Sequence, residues 1–245
     1  MKIFNSLDEI QDIEPAVVAL GNFDGIHRGH QEIINRSVRE AETAGLKSGV
    51  FTFSNHTSTI LKTVPPVKNI LYPDQKISIL ESMRVDYLFN IPFTEEILAM
   101  EPVTFIDEIL VKKFNIREAY CGFNYSFGHK ASGTPEVLMH EGILRGFGIH
   151  VQEPYTIDGI VVSSTYIRQL IAEGRMEECT KFMGRMYSID GEVAVGNKIG
   201  RTIGFPTCNT VVDDTMIAPP NGVYITMCTV NGVRHPSVTN VGVKP

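Results

Sequence analysis

Two histidines and the glycines around them are the residues best suited to chemistry in this chain. They lie in the stretch GNFDGIHRGH, residues 21–30. His27 and His30 are three positions apart, so on the first turn of a helix both imidazoles can reach the same side. Imidazole N–H groups there could donate hydrogen bonds to the oxygens that gain charge when a nucleotide phosphorus is attacked.

Two other interpretations of these histidines are open. They could be surface side chains beside an ordinary glycine turn, or they could be half of a zinc site. Zinc would need further ligands, and the four cysteines form no CxxC or His–Cys cluster that could supply them. We therefore expect phosphate chemistry without a resident metal ion.

The elements on either side of the motif would position it for phosphate binding. Residues 16–20 form a continuous apolar run, which is typical of a buried parallel strand, and residues 28–44 repeat apolar positions at helical spacing. Such a strand-to-helix turn directs backbone N–H groups and the positive end of the helix dipole to one point. Glycines let a phosphate approach that backbone closely.

A second phosphate-binding segment is predicted at VVSSTYIR, residues 161–168. Ser163 or Ser164 could cap the helix that begins here, which accounts for one serine. That role does not account for Arg168, which lies one turn inside a helix whose N-terminus already favours anions. We call residues 21–30 the histidine turn. We expect the helix start at residues 163–168 to bind phosphate together with it.

An aromatic loop lies between the two phosphate segments. It is GFNYSFGHKASG, residues 122–133, and it follows a short strand predicted at 118–121. Its rings, Phe123, Tyr125 and Phe127, could pin the loop to the core or could form flat apolar walls for a ligand.

The chain as a whole has the composition of a soluble globule with local positive charge at its sites. It has 245 residues and a net charge of −6, which argues against nonspecific nucleic-acid binding. It has neither an apolar run of the ~20 residues that a membrane helix needs nor a signal peptide, so we expect a cytoplasmic protein with no membrane partner. Positive potential must then be concentrated locally, and the candidates are His27, Arg28, His30, Lys130 and Arg168.

The order of predicted elements indicates two domains. Strands at 49–53 and 85–90 alternate with helices at 73–83 and 101–114, which predicts a parallel sheet with right-handed crossovers. A short helix follows at 174–184. Short β-like runs then appear at 187–195, 223–230 and 233–238. We predict an α/β domain over 1–183 and a small all-β domain over 184–245.

These motifs resemble those of the HxGH nucleotidyltransferase superfamily, and FDGIHRGHQ looks most like the bacterial FAD synthetases. SSTYIR is similar to the superfamily's ISSTxIR motif, and the aromatic loop is similar to the FAD-synthetase flavin loop. The resemblance implies a Rossmann-like domain that binds ATP with Mg²⁺ and also FMN, and that forms FAD. Asn55 and Thr57 stand where the family usually has prolines around its histidine.

The resemblance also implies a role for particular residues. Catalytic roles fall on His27, His30 and Arg168. ATP contacts fall on Gly21, Phe23, Asp24, Gly25, Gly29, Ser163, Ser164 and Thr165. FMN contacts fall on Phe53, His56, Asn124, Phe127 and Gly128, and we add Lys130 from its place in the loop. Asp24 could order the turn or the nucleotide, and both roles are open.

The C-terminal segment resembles the start of a riboflavin-kinase domain. In GNKIGRTIGFPTCNT, residues 196–210, Thr207 and Asn209 match the family's Pro-Thr-x-Asn segment, although Cys208 replaces the usual alanine. The family's kinase domain is longer than residues 184–245, and its catalytic glutamate lies in the part that is not matched. We therefore expect an incomplete, barrel-like β domain without kinase activity. Its open strand edges would pack on the first domain or on a second subunit, giving a possible homo-oligomer.

The function predicted from the sequence is FMN adenylyltransferase. Alternatives are a bifunctional enzyme that retains riboflavin kinase activity, a flavin- or nucleotide-binding regulator without turnover, and a nucleotidyltransferase with another acceptor such as choline phosphate, glycerol phosphate or pantetheine phosphate. The aromatic loop and the kinase-like segment count against another acceptor.

Overall fold

The computed structural model describes residues 1–55, 67–194, 204 and 207–242. It divides into two compact units, Met1–Ser164 and Thr165–Pro245. His56 and Thr57 lie outside the described residues. Within the described ranges, no helix is both long enough and apolar enough to cross a bilayer.

A parallel sheet of six strands forms the first unit. The strands are β1 (Lys2–Phe4), β2 (Ala16–Leu20), β3 (Lys47–Phe53), β4 (Tyr87–Ile91), β5 (Ile116–Gly122) and β6 (Gly148–Gln152). Their order across the sheet is β1-β4-β3-β2-β5-β6, and each neighbouring pair is parallel. The chain therefore moves from β2 to β3 on one side and later returns to place β5 on the other side of β2.

Helices cover both faces of this sheet. They are α1 (Arg28–Ala44), α2 (Pro73–Ser82), α3 (Glu95–Ala99), α4 (Pro102–Thr104, continued as a π-helix over Phe105–Lys113) and α5 (Pro135–Arg145). All five residues of β2 are buried, and alternate side chains enter different core clusters. Val18 and Leu20 join the cluster that contains Phe105 and Ile109, whereas Val17 and Ala19 join the cluster of α1. Burial on both faces explains the continuous apolar sequence of this strand.

A tight hairpin links the sheet to the next helix. Strands β7 (Thr156–Ile157) and β8 (Ile160–Val161) pair antiparallel around Asp158 and Gly159, whose φ values are 51° and 78°. Two consecutive left-handed residues are the requirement of a two-residue hairpin turn, and Asp-Gly satisfies it. The hairpin ends two residues before helix α6 (Ser164–Ala172).

The second unit contains helical and antiparallel β elements. After its part of α6 come α7 (Met176–Met183) and strands β9 (Val193–Ala194), β10 (Asn209–Thr210), β11 (Gly222–Val230) and β12 (Val233–Val241). Strand β9 pairs with β10, and β11 pairs with β12, both antiparallel. The fold class is thus the predicted one, an α/β domain followed by a small β region.

Several elements differ from the sequence prediction. The expected strand at 187–195 is a strand only at Val193–Ala194 within the described residues. The helix predicted over 101–114 is largely a π-helix, and β1, β6 and α5 were not predicted. Strand β6 shows why: it has only two apolar positions, Ile149 and Val151, and all five of its residues are half-buried, so its alternation is too short to be distinctive.

Candidate active site

The histidine motif lies where the strand order of the sheet reverses. Strand β2 ends at Leu20, and its neighbours β3 and β5 are reached by chain segments that run in opposite directions across the sheet. In open α/β sheets this reversal leaves a crevice at the carboxyl ends of the strands, where ligands bind. The turn after β2 and the aromatic loop after β5 are the two borders of that crevice.

The backbone of this turn is strained. Phe23 has φ of 45°, Gly25 of 85° and Ile26 of 34°, and both Phe23 and Ile26 are buried. Left-handed φ values are costly for residues other than glycine, and most of all for a β-branched one, at about 1–3 kcal/mol each. Such a conformation persists only where the surroundings hold it in place.

Hydrogen bonds from three separate segments hold the turn. The Thr52 hydroxyl donates to the Asn22 carbonyl oxygen at 2.7 Å, and the Gln31 side chain donates to the Ile26 carbonyl oxygen at 2.8 Å. The Ile70 backbone N–H donates to Oδ1 of Asp24 at 3.0 Å. Asp24 is buried, and this bond lets its carboxylate order the turn, while its contact with the nucleotide stays a prediction.

The two imidazoles are stacked at the start of α1. His27 is the N-cap residue, and its Nδ1 accepts the backbone N–H of His30 at 3.2 Å. An Nδ1 that accepts a hydrogen bond leaves Nε2 as the protonated nitrogen of the neutral ring. The ring centroids of His27 and His30 are 3.6 Å apart, and Phe23 contacts the His30 ring edge-on at 5.2 Å. His27 is buried and His30 is half-buried, so His30 is the more accessible imidazole.

An apolar cavity of about 590 Å³ opens beside the turn. Its volume is in the range of small-molecule sites. The predicted residues that line it are Gly21, Phe23, His30, Phe53, Asn124, Phe127, Gly128 and Lys130. Further walls come from Phe51, Phe93, Ile97, Leu98 and Phe105. The histidine turn and the aromatic loop therefore face one cavity, although they are about a hundred residues apart in sequence.

The aromatic loop is fixed by backbone pairing rather than by ring packing alone. Phe127 and Gly133 exchange two backbone hydrogen bonds, of 3.1 and 2.9 Å. A Cβ on Gly133 would lie 2.6 Å from the Phe127 ring, so only glycine allows this approach. Phe127 also packs against Phe105 at 5.2 Å, which connects the loop to the π-helix. Tyr125 and Phe127 pack on the core and also line the cavity, whereas Phe123 is exposed. A ligand between these rings stays a prediction.

Lys76 is a site residue that the sequence did not reveal. Its Nζ lies 3.4 Å from each of three oxygens: the Asn22 carbonyl, the Thr52 hydroxyl and the Phe53 carbonyl. Burial lowers the pKa of Lys76, and the nearby charge of Asp24 acts in the opposite direction. No local pattern marks this lysine, because it lies on α2 and reaches the turn only through the tertiary fold.

The second predicted phosphate segment contacts the histidine turn through a serine. The Ser164 hydroxyl donates to the Asp24 carbonyl oxygen at 2.8 Å, across 140 positions of sequence. Ser163 directly precedes α6, while Thr165 and Arg168 continue the helix in the second unit. Within the first unit, Ser164 thus contacts the histidine turn directly.

The other predicted residues lie elsewhere or are not described. Gly25 and Gly29 are buried within the histidine turn and the first turn of α1. Thr207 and Asn209 are exposed in the second unit, where Asn209 belongs to β10. His56 lies outside the described residues.

The start of α1 offers backbone N–H groups at the histidine turn, and the cavity beside it has the volume of a small-molecule site.

Comparison with known proteins identifies the family. The FAD synthetase family model matches residues 9–166, and the riboflavin kinase family model matches residues 183–245. The chain is 36% identical to the bifunctional riboflavin kinase/FMN adenylyltransferase of Bacillus subtilis over 231 residues, which is 94% of this chain and 72% of that protein. It is 35% identical to the protein of the same description from Listeria monocytogenes, over 96% of this chain and 74% of that protein. The chain belongs to the FAD synthetase family and is a nucleotidyltransferase.

A solved structure has the same fold. A crystal structure described as a macrolide-efflux protein from Streptococcus pneumoniae superimposes with a TM-score of 0.87 and 29% sequence identity, covering 98% of this chain and 78% of that one.

The match of the riboflavin kinase model bears on the expectation that kinase activity is absent. Because that model matches residues 183–245, the predicted absence of kinase activity is not confirmed.

Proposed function

We propose that this enzyme transfers AMP from ATP to FMN, giving FAD and pyrophosphate. The single observation that carries the proposal is the shared space between the histidine turn and the aromatic loop, in which His30 and Phe127 line one cavity. The cavity offers flat apolar walls to an isoalloxazine, and the turn offers donors to phosphate oxygens.

The reaction follows from this arrangement without a covalent enzyme intermediate. An oxygen of the FMN phosphate attacks the α-phosphorus of ATP, the bond from that phosphorus to the bridging oxygen breaks, and pyrophosphate leaves. The attacking oxygen is already ionised, so a strong general base is unnecessary. Positioning and stabilisation of charge on the phosphoryl oxygens then account for most of the acceleration.

The residues divide between the reacting phosphate of ATP and the departing pyrophosphate. His27 and His30 donate to the oxygens of the reacting phosphate, and Gly21, Gly25 and Gly29 let those oxygens approach the backbone. On the second helix start, Ser163, Thr165 and Arg168 hold the departing pyrophosphate. Mg²⁺ accompanies ATP and neutralises part of the triphosphate charge. The expected location is the cytoplasm, where thiols stay reduced.

The test is incubation of the protein with ATP, Mg²⁺ and FMN, followed by chromatographic separation of the flavins and measurement of pyrophosphate. We expect FAD and pyrophosphate in equal amounts. In the His30→Ala variant, turnover should fall by about 10²–10³, as for loss of one transition-state donor, while FMN still binds. FMN binding without FAD formation in the unsubstituted protein would instead support a non-catalytic flavin-binding regulator.

Riboflavin kinase is a second candidate activity, and the family match over residues 183–245 favours it. The same assay with riboflavin in place of FMN decides the question. Formation of FMN from riboflavin and ATP would establish the bifunctional enzyme, whereas its absence would support the expectation drawn from the sequence.

We also keep as proposals the domain boundary between residues 183 and 184 and self-association through the β region. The support for association is the apolar surface of the β11–β12 hairpin, on which Ile225 is 96% exposed and Val238 is 74% exposed. Sedimentation of the protein and of its Ile225→Ser variant tests this. A monomer in both cases would exclude association through the hairpin.

A further inference from the structure

The pairing of β3 with β4 stops at a proline. The last backbone bond between the two strands is from the Ser54 N–H to the Ile91 carbonyl oxygen, at 3.1 Å. Backbone N–H groups of consecutive strand residues point to opposite sides, so after Ile91 the next N–H on the β3 side is that of Phe93, one residue beyond Pro92. The segment after Pro92 needs another attachment if it is to stay beside the end of β3.

The side chain of Asn55 supplies that attachment. Its Oδ1 accepts the backbone N–H of Phe93 at 2.7 Å, and its Nδ2 donates to the Phe93 carbonyl oxygen at 3.0 Å. A carboxamide carries the same donor and acceptor as a peptide group, so it extends the ladder by one rung beyond the proline. Because both bonds go from one planar group to one residue, they fix the position and the orientation of the Phe93 backbone.

The segment attached in this way forms a wall of the larger cavity. The Phe93 ring packs against Phe53 with centroids 4.7 Å apart, and both rings line the cavity. Thr94, the next residue, caps α3, and that helix carries Ile97 and Leu98 to the same cavity. Asn55 itself lines a smaller neighbouring cavity, so it acts on the larger one through Phe93.

We propose that Asn55 is a positioning residue for the flavin substrate, which sets the aromatic wall made by Phe93 and α3 through its two hydrogen bonds to the Phe93 backbone. The inference rests on the proposed function, since it takes the larger cavity as the FMN site. It assigns Asn55 an effect on FMN binding and none on the phosphate chemistry at the histidine turn.

The experiment compares Asn55→Ala with the unsubstituted protein. FMN affinity is measured without ATP from the quenching of flavin fluorescence, and kcat and both KM values are measured from FAD formation. We expect the FMN Kd and KM to rise about tenfold, equivalent to about 1.4 kcal/mol. The KM for ATP and the kcat at saturating FMN should stay unchanged. Asn55→Asp keeps the acceptor for the Phe93 N–H but places a carboxylate oxygen against the Phe93 carbonyl oxygen, so it should also raise the FMN Kd, and it carries the test if the alanine variant does not fold.

Asn115 provides a matched control. Its Nδ2 also donates to a distant backbone carbonyl, that of Ile13, at 3.0 Å, but at the opposite end of the sheet. Glycine tolerates its φ of 45°, so Asn115→Gly removes the same kind of bond without adding strain. An FMN Kd in Asn55→Ala no higher than in this control, or an equal rise in both KM values, overturns the inference. Failure of the unsubstituted protein to make FAD would overturn the proposed function instead.

Discussion

Substitution of His27 can separate its structural role from its chemical role. The side chain is the N-cap of α1, through the 3.2 Å bond from the His30 N–H to Nδ1, and its ring is stacked on His30. Asparagine is a good N-cap and can accept the same backbone N–H, but it has no imidazole. Alanine has neither group. The pair His27→Asn and His27→Ala therefore removes the imidazole alone or the imidazole together with the cap.

The expected magnitudes differ between the two roles. Loss of the cap in His27→Ala costs about 1 kcal/mol. For a chain of this size that corresponds to a fall in Tm of about 2–4 °C. His27→Asn should keep the Tm of the unsubstituted protein. Loss of the imidazole should lower kcat for FAD formation by about 10²–10³ in both variants, because a donor to the reacting phosphate is missing.

Two measurements on each variant check this reasoning: the thermal midpoint, and the initial rate of FAD formation at saturating ATP and FMN. A His27→Asn enzyme that retains most of its turnover would show that His27 serves the helix only. A His27→Ala enzyme with an unchanged midpoint would show that the cap contributes nothing measurable. A lower kcat with the same Tm in the asparagine variant is the combination that the structure predicts.

Three further predictions concern the packing and charges of the described residues. Gly133→Ala would place a methyl 2.6 Å from the Phe127 ring, so we expect the ring to be displaced and the KM for FMN to rise, with a stability cost of about 1–3 kcal/mol measured by urea unfolding. A hydrogen bond from Arg145 lowers the pKa of Asp107, so this pair stabilises the fold above the unfolded carboxyl pKa of about 3.9, and the stabilisation is lost as pH falls through the lower folded value. Arg145→Gln should therefore lower the urea midpoint at pH 7 and lower it less at about pH 3, and an equal deficit at both pH values would contradict the assignment. Burial raises the pKa of the Cys121 thiol to about 12, so alkylation at pH 8 should leave it unmodified until the protein is unfolded, as peptide mass spectrometry would show.

Local patterns in the sequence were sufficient to predict the strand before the histidine motif and the helix after it. The run at 16–20 is β2, and the helical periodicity at 28–44 matches α1, which ends at Gly45 in a left-handed conformation. These features depend on neighbouring residues, namely apolar spacing, a capping group and a glycine stop, so a linear sequence contains them. The role of the two histidines as phosphate donors stays a prediction.

The composition of the site depended on which strands became neighbours. Strand β5 lies beside β2, and this arrangement brings the aromatic loop to His30 and creates the cavity. Lys76, Asn55 and Phe93 lie beside the turn or line the neighbouring cavities for the same reason, and no local pattern predicted their contacts. Their contacts join residues that are tens of positions apart, and such contacts form only when the strands and helices pack. The sequence alone therefore specified the chemical groups of the histidine turn, while the tertiary structure decided which distant residues hold that turn and shape the cavity beside it.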